Sequence, residues 1–225
     1  SLEQRFSHGL TFLAAYTWSK LMNDMNVDDE MTVQNPLNPA LDYGLGSQSI
    51  NNRFVSSFSY ALPVGRGMQY LGTIPRPVDL LIGGWRFGGI AQFQSGSPFT
   101  PTMEANPTDT DYATRPNRVG SGEVSNRSIS QWFAVSAFQV PAAGQIGNSG
   151  RNILLGPGYQ NWDLSLLKDF HFTDRVYAEF RAEAFNTFNH PHFQNPDSDI
   201  QSGTAGQILS AGDPRELQVA LKIYF

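Results

Sequence analysis

The sequence contains no cysteine, no long apolar run and no block of like charges. Without thiols the chain cannot form a disulfide, a thiolate-bound metal site or a cysteine nucleophile. No stretch approaches the roughly 18 uninterrupted apolar residues of a membrane helix, and residues 1–4 do not resemble a signal peptide.

Charge of either sign is also scarce: the net charge is −5, and it is spread along the chain. Nucleic acid requires a basic face or stripe, so we expect no nucleic-acid partner. The sequence also lacks the polybasic patch that binds anionic membrane surfaces. Abundant glycine, proline and aromatic residues instead indicate strands joined by irregular loops.

Apolar and polar residues alternate in several segments, which predicts β-strands because successive side chains of a strand point to opposite faces. Six segments show this pattern: residues 10–19, 53–62, 85–94, 162–170, 176–184 and 217–225. Alanine and glutamate in the fifth segment also suit a helix. The strand is preferred because it places Glu179, Arg181 and Glu183 on one face.

Each predicted strand has an apolar and a polar face, as in a membrane barrel with lipid outside and a polar lumen inside. The aromatic residues predicted to face lipid are Tyr16, Trp18, Phe58, Tyr60, Trp85, Phe87, Trp162 and Phe180. The residues predicted to face the lumen are Arg86, Gln92, Gln94, Asp163, Asp169, Glu179, Arg181, Glu183 and Lys222. Lys168 interrupts the apolar face of its strand.

Long and short connections alternate along the chain. Residues 22–51, 99–159 and 190–213 are long, residues 65–82 are intermediate, and the joint near residues 173–174 is very short. Outer-membrane barrels have long extracellular loops and short periplasmic turns. We therefore predict an all-β, antiparallel transmembrane barrel segment with about six long strands, whose long loops lie outside the cell.

Two local expectations follow from this arrangement. Phe172 and Val176 share a face, so the turn between them should hold an odd number of residues, most simply Thr173-Asp174-Arg175. Residues 1–4 fit the tail of a preceding strand, with residues 5–9 as a periplasmic turn.

The last segment has the clearest alternation, with apolar side chains at every odd position. They are Leu217, Val219, Leu221, Ile223 and Phe225. Soluble proteins commonly end in a frayed polar tail, so this segment favours the barrel. A soluble β-sandwich binding module, lectin-like for example, is the alternative that alternation leaves open.

Six blocks of sequence carry a family resemblance, in this order: RFSHGLTFLAAYTWSK, NNRFVSSFSYALPVG, GGWRFGGIAQFQSGSPFTP, GRNILLGPGYQNWDLSLLKDF, AEFRAEAFNTFNHPHF and GQILSAGDPRELQVALKIYF. Spread from residue 5 to residue 225, these blocks resemble the C-terminal end of TonB-dependent outer-membrane receptors. The most similar are the Oar-like receptors abundant in acidobacteria.

The resemblance implies a large plugged barrel that imports a siderophore, an oligosaccharide or a peptide with energy from the TonB complex. Residues 1–225 would be its C-terminal part, a fragment without the plug domain and the earlier strands. The expected partners are outer-membrane lipid, the TonB complex through the plug, and the barrel-assembly machinery. The resemblance implies that this machinery reads residues 217–225, with Phe225 as the terminal signal.

No constellation predicts an enzyme, a cofactor or a metal. His190-Pro191-His192 near Asp197 and Asp199 could bind a metal or form a turn. Two acidic clusters, at residues 24–30 and 109–111, could hold calcium, but they lack the spacing of a calcium loop.

Glu179 and Glu183 could serve as a catalytic pair. However, the intervening Arg181 indicates a lining of neutralised charges, partnered by neighbours such as Arg86 or Lys222. Residues 65–67 and 95–98 match neither a nucleotide loop nor a nucleophile elbow.

Overall fold

A computed structural model describes residues 2–5, 9–24, 33–173 and 175–225, the first four by their backbone alone. Seven antiparallel strands form one large sheet whose spatial order equals the chain order. They are β1 (Leu2–Arg5), β2 (Leu10–Trp18), β3 (Asn52–Ala61), β4 (Trp85–Gln94), β5 (Tyr159–His171), β6 (Tyr177–Phe185) and β7 (Glu216–Tyr224). The six predicted strands are confirmed, and β1 confirms the expected preceding strand. This strand includes Arg5, which was expected in the following turn, and residues 6–8 of that turn lie outside the described residues.

The strand register keeps each predicted set of residues on one face of the sheet. Phe58 lies between Phe12 on β2 and Gly89 on β4. Arg181 lies between Leu167 on β5 and Ala220 on β7. A slip of one residue in any pair would exchange the two faces, so this agreement across six strand pairs defines an apolar face and a polar face.

The turn between β5 and β6 has the expected parity. His171 pairs with Tyr177, and the Phe172 amide donates to the Val176 carbonyl at 3.1 Å. Residues 173–175 therefore form the turn, which confirms an odd number of residues. Asp174 itself lies outside the described residues.

The connection between β3 and β4 contains a helix, α1 (Arg76–Ile82), that the sequence did not predict. Pro75 lies at its N-cap and Pro77 in its first turn, where a missing amide hydrogen costs nothing. Asp79 lies in the first turn and Gly83 follows the last residue. Seven residues are too few to show a helical period, so the pattern gave no signal.

The long connections fold into a cap at one end of the sheet, and their short elements are of two kinds. Two-residue strands pair as Met22–Asn23 with Gly44–Leu45, Pro98–Phe99 with Leu154–Leu155, and Asn117–Arg118 with Phe138–Gln139. Two 3-10 turns span Pro39–Asp42 and Val135–Ala137.

The buried apolar cluster lies in this cap and not in the sheet. It is composed of Phe99, Phe133, Ala137, Phe138 and Leu154. Phe133 is only 1 % exposed, and burying one such ring fully contributes about 1.5–3 kcal/mol. The cap is therefore a packed substructure, whereas the long strands have few buried side chains.

Within the described part of the chain, β1 and β7 form the two edges of the sheet and do not pair with each other. A soluble sandwich requires a second large sheet packed on the first, whereas the remaining sheets here have two strands each. The sandwich alternative therefore finds no support. Among the described residues, no helix has the length and apolarity needed to cross a membrane.

Candidate functional site on the polar face of the sheet

Charges of opposite sign lie side by side on the polar face, at the end near α1. Arg86 of β4 reaches across β5 and β6, with Nη2 at 3.1 Å from Asp169 Oδ2 and 3.2 Å from Glu179 Oε2. Each of the three side chains is partly exposed. The arrangement confirms Arg86 as a partner of the β6 carboxylates.

Arg181 extends this charge ladder along β6. Its guanidinium lies 3.5 Å from Glu179 and 3.7 Å from Glu183. Residues two apart on a strand share a face, so the cation of Arg181 lies between the two glutamates and attracts both. Lys222 of β7 lies directly opposite Glu179 in the register.

A groove of about 490 Å³ crosses the middle of the same face. Small residues form its floor, including Ser57, Ser59, Gly88 and Ser165. A Cβ on Gly88 would lie 3.0 Å from the Ser165 hydroxyl, so glycine keeps the groove deep there. Charged and apolar side chains of the neighbouring strands complete its lining.

The remaining residues predicted for the lumen have local partners. Asp163 Oδ1 accepts hydrogen bonds from the Asn161 side chain and from the backbone N–H of Asn186, both at 2.9 Å. Gln92 donates to Gln94 at 3.1 Å. Asp163 therefore fixes the start of the β6–β7 connection.

Aromatic side chains cover the opposite, apolar face. Phe58 packs on Phe87 with ring centroids 5.4 Å apart, and Phe93 meets Trp162 edge-on at 5.7 Å. Tyr16, Trp18, Tyr60, Trp85 and Phe180 lie on this face as well. That lipid contacts these rings stays a prediction.

Lys168 lies on the apolar face but is only 1 % exposed. Its ammonium donates to the Gly83 carbonyl after α1 and lies over the rings of Trp85 and Phe170. Lys168, which interrupts the apolar sequence pattern, thus has its polar partner at the C-terminal end of α1. Sequence reasoning could not identify this partner, because α1 gave no signal.

The described residues contain no group of three ligands that could hold a metal. His190 and His192 have ring centroids 6.4 Å apart, and His192 Nε2 lies 3.0 Å from the Gln160 carbonyl. The Asn186 side chain bonds the backbone N–H and carbonyl of His190. The histidine pair therefore directly follows a turn at residues 186–188, to which the backbone of His190 is hydrogen-bonded.

The acidic loop residues shape the backbone where they are described. Asp197 accepts hydrogen bonds from Ser202 and Thr204, which lower the pKa of its carboxyl below the ordinary 3.8. The Asp199 carboxylate accepts a hydrogen bond from the backbone N–H of Gln201 at 2.9 Å. Residues 28–30 of the first acidic cluster lie outside the described residues.

Buried polar contacts in the cap join loops that are distant in sequence, and no local sequence pattern predicts them. Arg115 Nη1 lies 2.7 Å from Asp42 Oδ1 with both side chains almost fully buried. The Thr102 amide donates to the Ser198 carbonyl at 2.9 Å, and Ile200 donates back to Thr102. The three long connections therefore form one unit.

A meander of amphipathic antiparallel strands, with a ladder of mixed charges on its polar face, defines the wall of a membrane β-barrel. The chain belongs to a family described as the outer membrane beta barrel domain, whose model matches residues 1–218. Its place is accordingly the bacterial outer membrane. Neither the curated proteins nor the solved structures provide a match.

Proposed function

We propose that this chain is the C-terminal barrel portion of a TonB-dependent receptor, which imports a siderophore, an oligosaccharide or a peptide without chemical conversion. The observation that carries the proposal is the charge ladder on the polar face. Arg86 and Arg181 each retain more than a third of their side-chain exposure. Charges of this kind suit a hydrated lumen or a polar plug surface, and not a lumen filled by apolar side chains.

Among the described residues, β1 and β7 do not pair with each other, and the smallest bacterial barrels close with eight strands. The open sheet is therefore compatible with a wall of more than seven strands. The further partners of this proposal are outer-membrane lipid, the TonB complex through a plug domain, and the assembly machinery at residues 217–225. The folded cap supports selective binding, because extracellular loops form the entrance of such barrels.

Uptake measurements test this function. Cells that produce the full-length protein are supplied with a radiolabelled ferric siderophore, a maltooligosaccharide or a dipeptide, in matched strains with and without TonB. We expect one probe to accumulate above the level of cells without the protein, and that accumulation to disappear without TonB. Accumulation that persists without TonB would instead identify a passive channel.

A further inference from the structure

The connection between β3 and β4, residues 62–84, exposes apolar side chains at the end of the sheet away from the cap, the end that the short connections predict to be periplasmic. Its exposed side chains, here termed the connection patch, are Met68, Tyr70, Leu71, Val78 and Leu81. Leu81 is 70 % exposed. Several large apolar side chains exposed within one connection point to an interaction site.

Helix α1 is held at both ends, so the connection patch has a fixed place. At its start, Arg76 Nη2 donates to the Phe172 carbonyl in the β5–β6 turn at 2.7 Å. At its end, Trp85 Nε1 donates to the Leu81 carbonyl at 3.2 Å, and Lys168 donates to the Gly83 carbonyl. The helix therefore lies beside the ends of β4 and β5.

The end of α1 adjoins the apolar face of the sheet, because Trp85 Nε1 donates to the Leu81 carbonyl. Trp85, Phe170 and Phe172 belong to that face, and Phe172 is half exposed. Tryptophan is enriched at the level of lipid headgroups, and a lysine stem can lie along apolar surface while its ammonium reaches polar groups. The contact of Lys168 with Trp85 and Gly83 thus joins the end of α1 to the aromatic edge of this apolar face.

The charges of the connection fit the same location. Residues 62–84 contain two arginines, Arg66 and Arg76, and a single acidic residue, Asp79. Asp79 Oδ1 accepts the backbone N–H of Arg66 at 2.7 Å, so this carboxylate is used inside the connection. Apolar side chains flanked by arginines suit the boundary between acyl chains and phosphate headgroups.

The backbone at Leu71 supports a role for its exposed side chain. Its φ of 60° lies in the left-handed region, which residues other than glycine seldom adopt. A strained residue persists where the surrounding structure requires it. Here the strained position presents a leucine away from the protein.

We propose that the connection patch inserts into the periplasmic leaflet and binds a phospholipid surface, which makes α1 and residues 68–71 an interfacial anchor. The anchor extends the lipid-facing surface of the barrel beyond the strands. It depends on outer-membrane location and on no property of the transported solute.

Labelling of the full-length protein tests the anchor, since this sequence has no cysteine of its own. Leu71→Cys and Leu81→Cys each receive a bimane label, and the cap variant Leu209→Cys provides a control of matched exposure. The proteins are reconstituted in vesicles of phosphatidylethanolamine and phosphatidylglycerol. Quenching by brominated acyl chains and by aqueous iodide is then compared.

We expect brominated lipid to quench the labels at Leu71 and Leu81 several-fold more strongly than the label at Leu209, with the reverse order for iodide. Equal quenching at all three sites would overturn the proposal and place the patch in water. Protection from both quenchers would also overturn it, because it would indicate a protein partner or a second copy.

A second comparison separates anchoring from folding. The double variant Val78→Asp, Leu81→Asp should lower lipid quenching of the Leu71 label several-fold, because two carboxylates oppose insertion. The cap variant Ile146→Asp is the matched control and should leave it unchanged. Unchanged quenching in the double variant would contradict the anchor, and heat-modifiable gel mobility verifies that each barrel is folded.

Discussion

At the scale of the residue, the positions that disagree with the strand pattern are those with specific partners. Lys168 interrupts an apolar face, and the structure supplies it with a carbonyl and two aromatic rings. The aspartates suspected of binding metal instead bond nearby amides and hydroxyls. Such partners come from loops and from α1, so strand periodicity alone does not predict them.

Reversing the charge at Lys168 tests its role in holding α1. In Lys168→Glu a buried carboxylate would face the Gly83 carbonyl and the electron-rich rings of Trp85 and Phe170. We expect the free energy of unfolding to fall by about 3 kcal/mol or more, as for an uncompensated buried charge. Urea titration in vesicles measures this loss. The control Lys20→Glu changes an exposed lysine and should alter the free energy of unfolding little. Equal losses in the two variants would argue against a stabilising contact of Lys168 with the end of α1.

Acid should weaken the cap through Asp197. Hydrogen bonds from Ser202 and Thr204 lower its pKa below 3.8 in the folded state. The stabilisation is therefore complete above that value and is lost as the pH falls through the lower, folded pKa. We expect Asp197→Asn to destabilise the cap at neutral pH and to match wild type in strong acid. Proteolysis of the cap at the two pH values checks this, and a difference independent of pH would contradict it.

At the scale of the element, the strands follow the sequence closely and α1 does not. Apolar and polar side chains alternate along each long strand. A slip of one residue would exchange the two faces, so the strand's own residues set its register. Helix α1 begins at two prolines and is held by contacts to β4, β5 and the β5–β6 turn. Its place thus depends on tertiary contacts more than on intrinsic propensity.

Gly89 of β4 leaves room on the apolar face for the side chains of Phe58 on β3 and Leu164 on β5. A Cβ there would lie 2.6 Å from Leu164 Cδ2 and 2.9 Å from Phe58 Cε1. We expect Gly89→Val to lower stability by about 1–3 kcal/mol through overpacking. Gel mobility against temperature measures this. Gly203→Val, with nothing within 4 Å of the new Cβ, is the control, and an unshifted transition in Gly89→Val would rule out the tight contact.

At the scale of the whole molecule, the sheet and the cap obtain their stability differently. The sheet presents one apolar and one polar face, whereas the cap has a buried apolar cluster of its own. Asp42 and Arg115 join the β2–β3 connection to the β4–β5 connection inside that cap. Polar contacts between distant loops therefore join the cap together in addition to its apolar cluster.

Removal of the Arg115 guanidinium should loosen the cap while the strands remain. Arg115→Met leaves Asp42 buried without its cation, which costs about 3–5 kcal/mol. Limited proteolysis should then cut within residues 33–50 and 99–158, with heat-modifiable mobility preserved. Arg127→Met breaks the exposed pair with Glu123, worth about 0–1 kcal/mol. Equal protease resistance in both variants would contradict a structural role for the buried pair.

The sequence by itself determined the strands, their two faces and the long-short alternation of connections, because a period of two is a local property of each segment. This period predicted that Glu179, Arg181 and Glu183 share the polar face. It also predicted an odd number of residues in the β5–β6 turn. Only the tertiary structure decided that Arg86 spans two strands to Glu179, that Lys168 is capped by α1, and that Arg115 meets Asp42. Each of these contacts joins residues more than 70 positions apart, and no local pattern encodes which distant partner a side chain reaches.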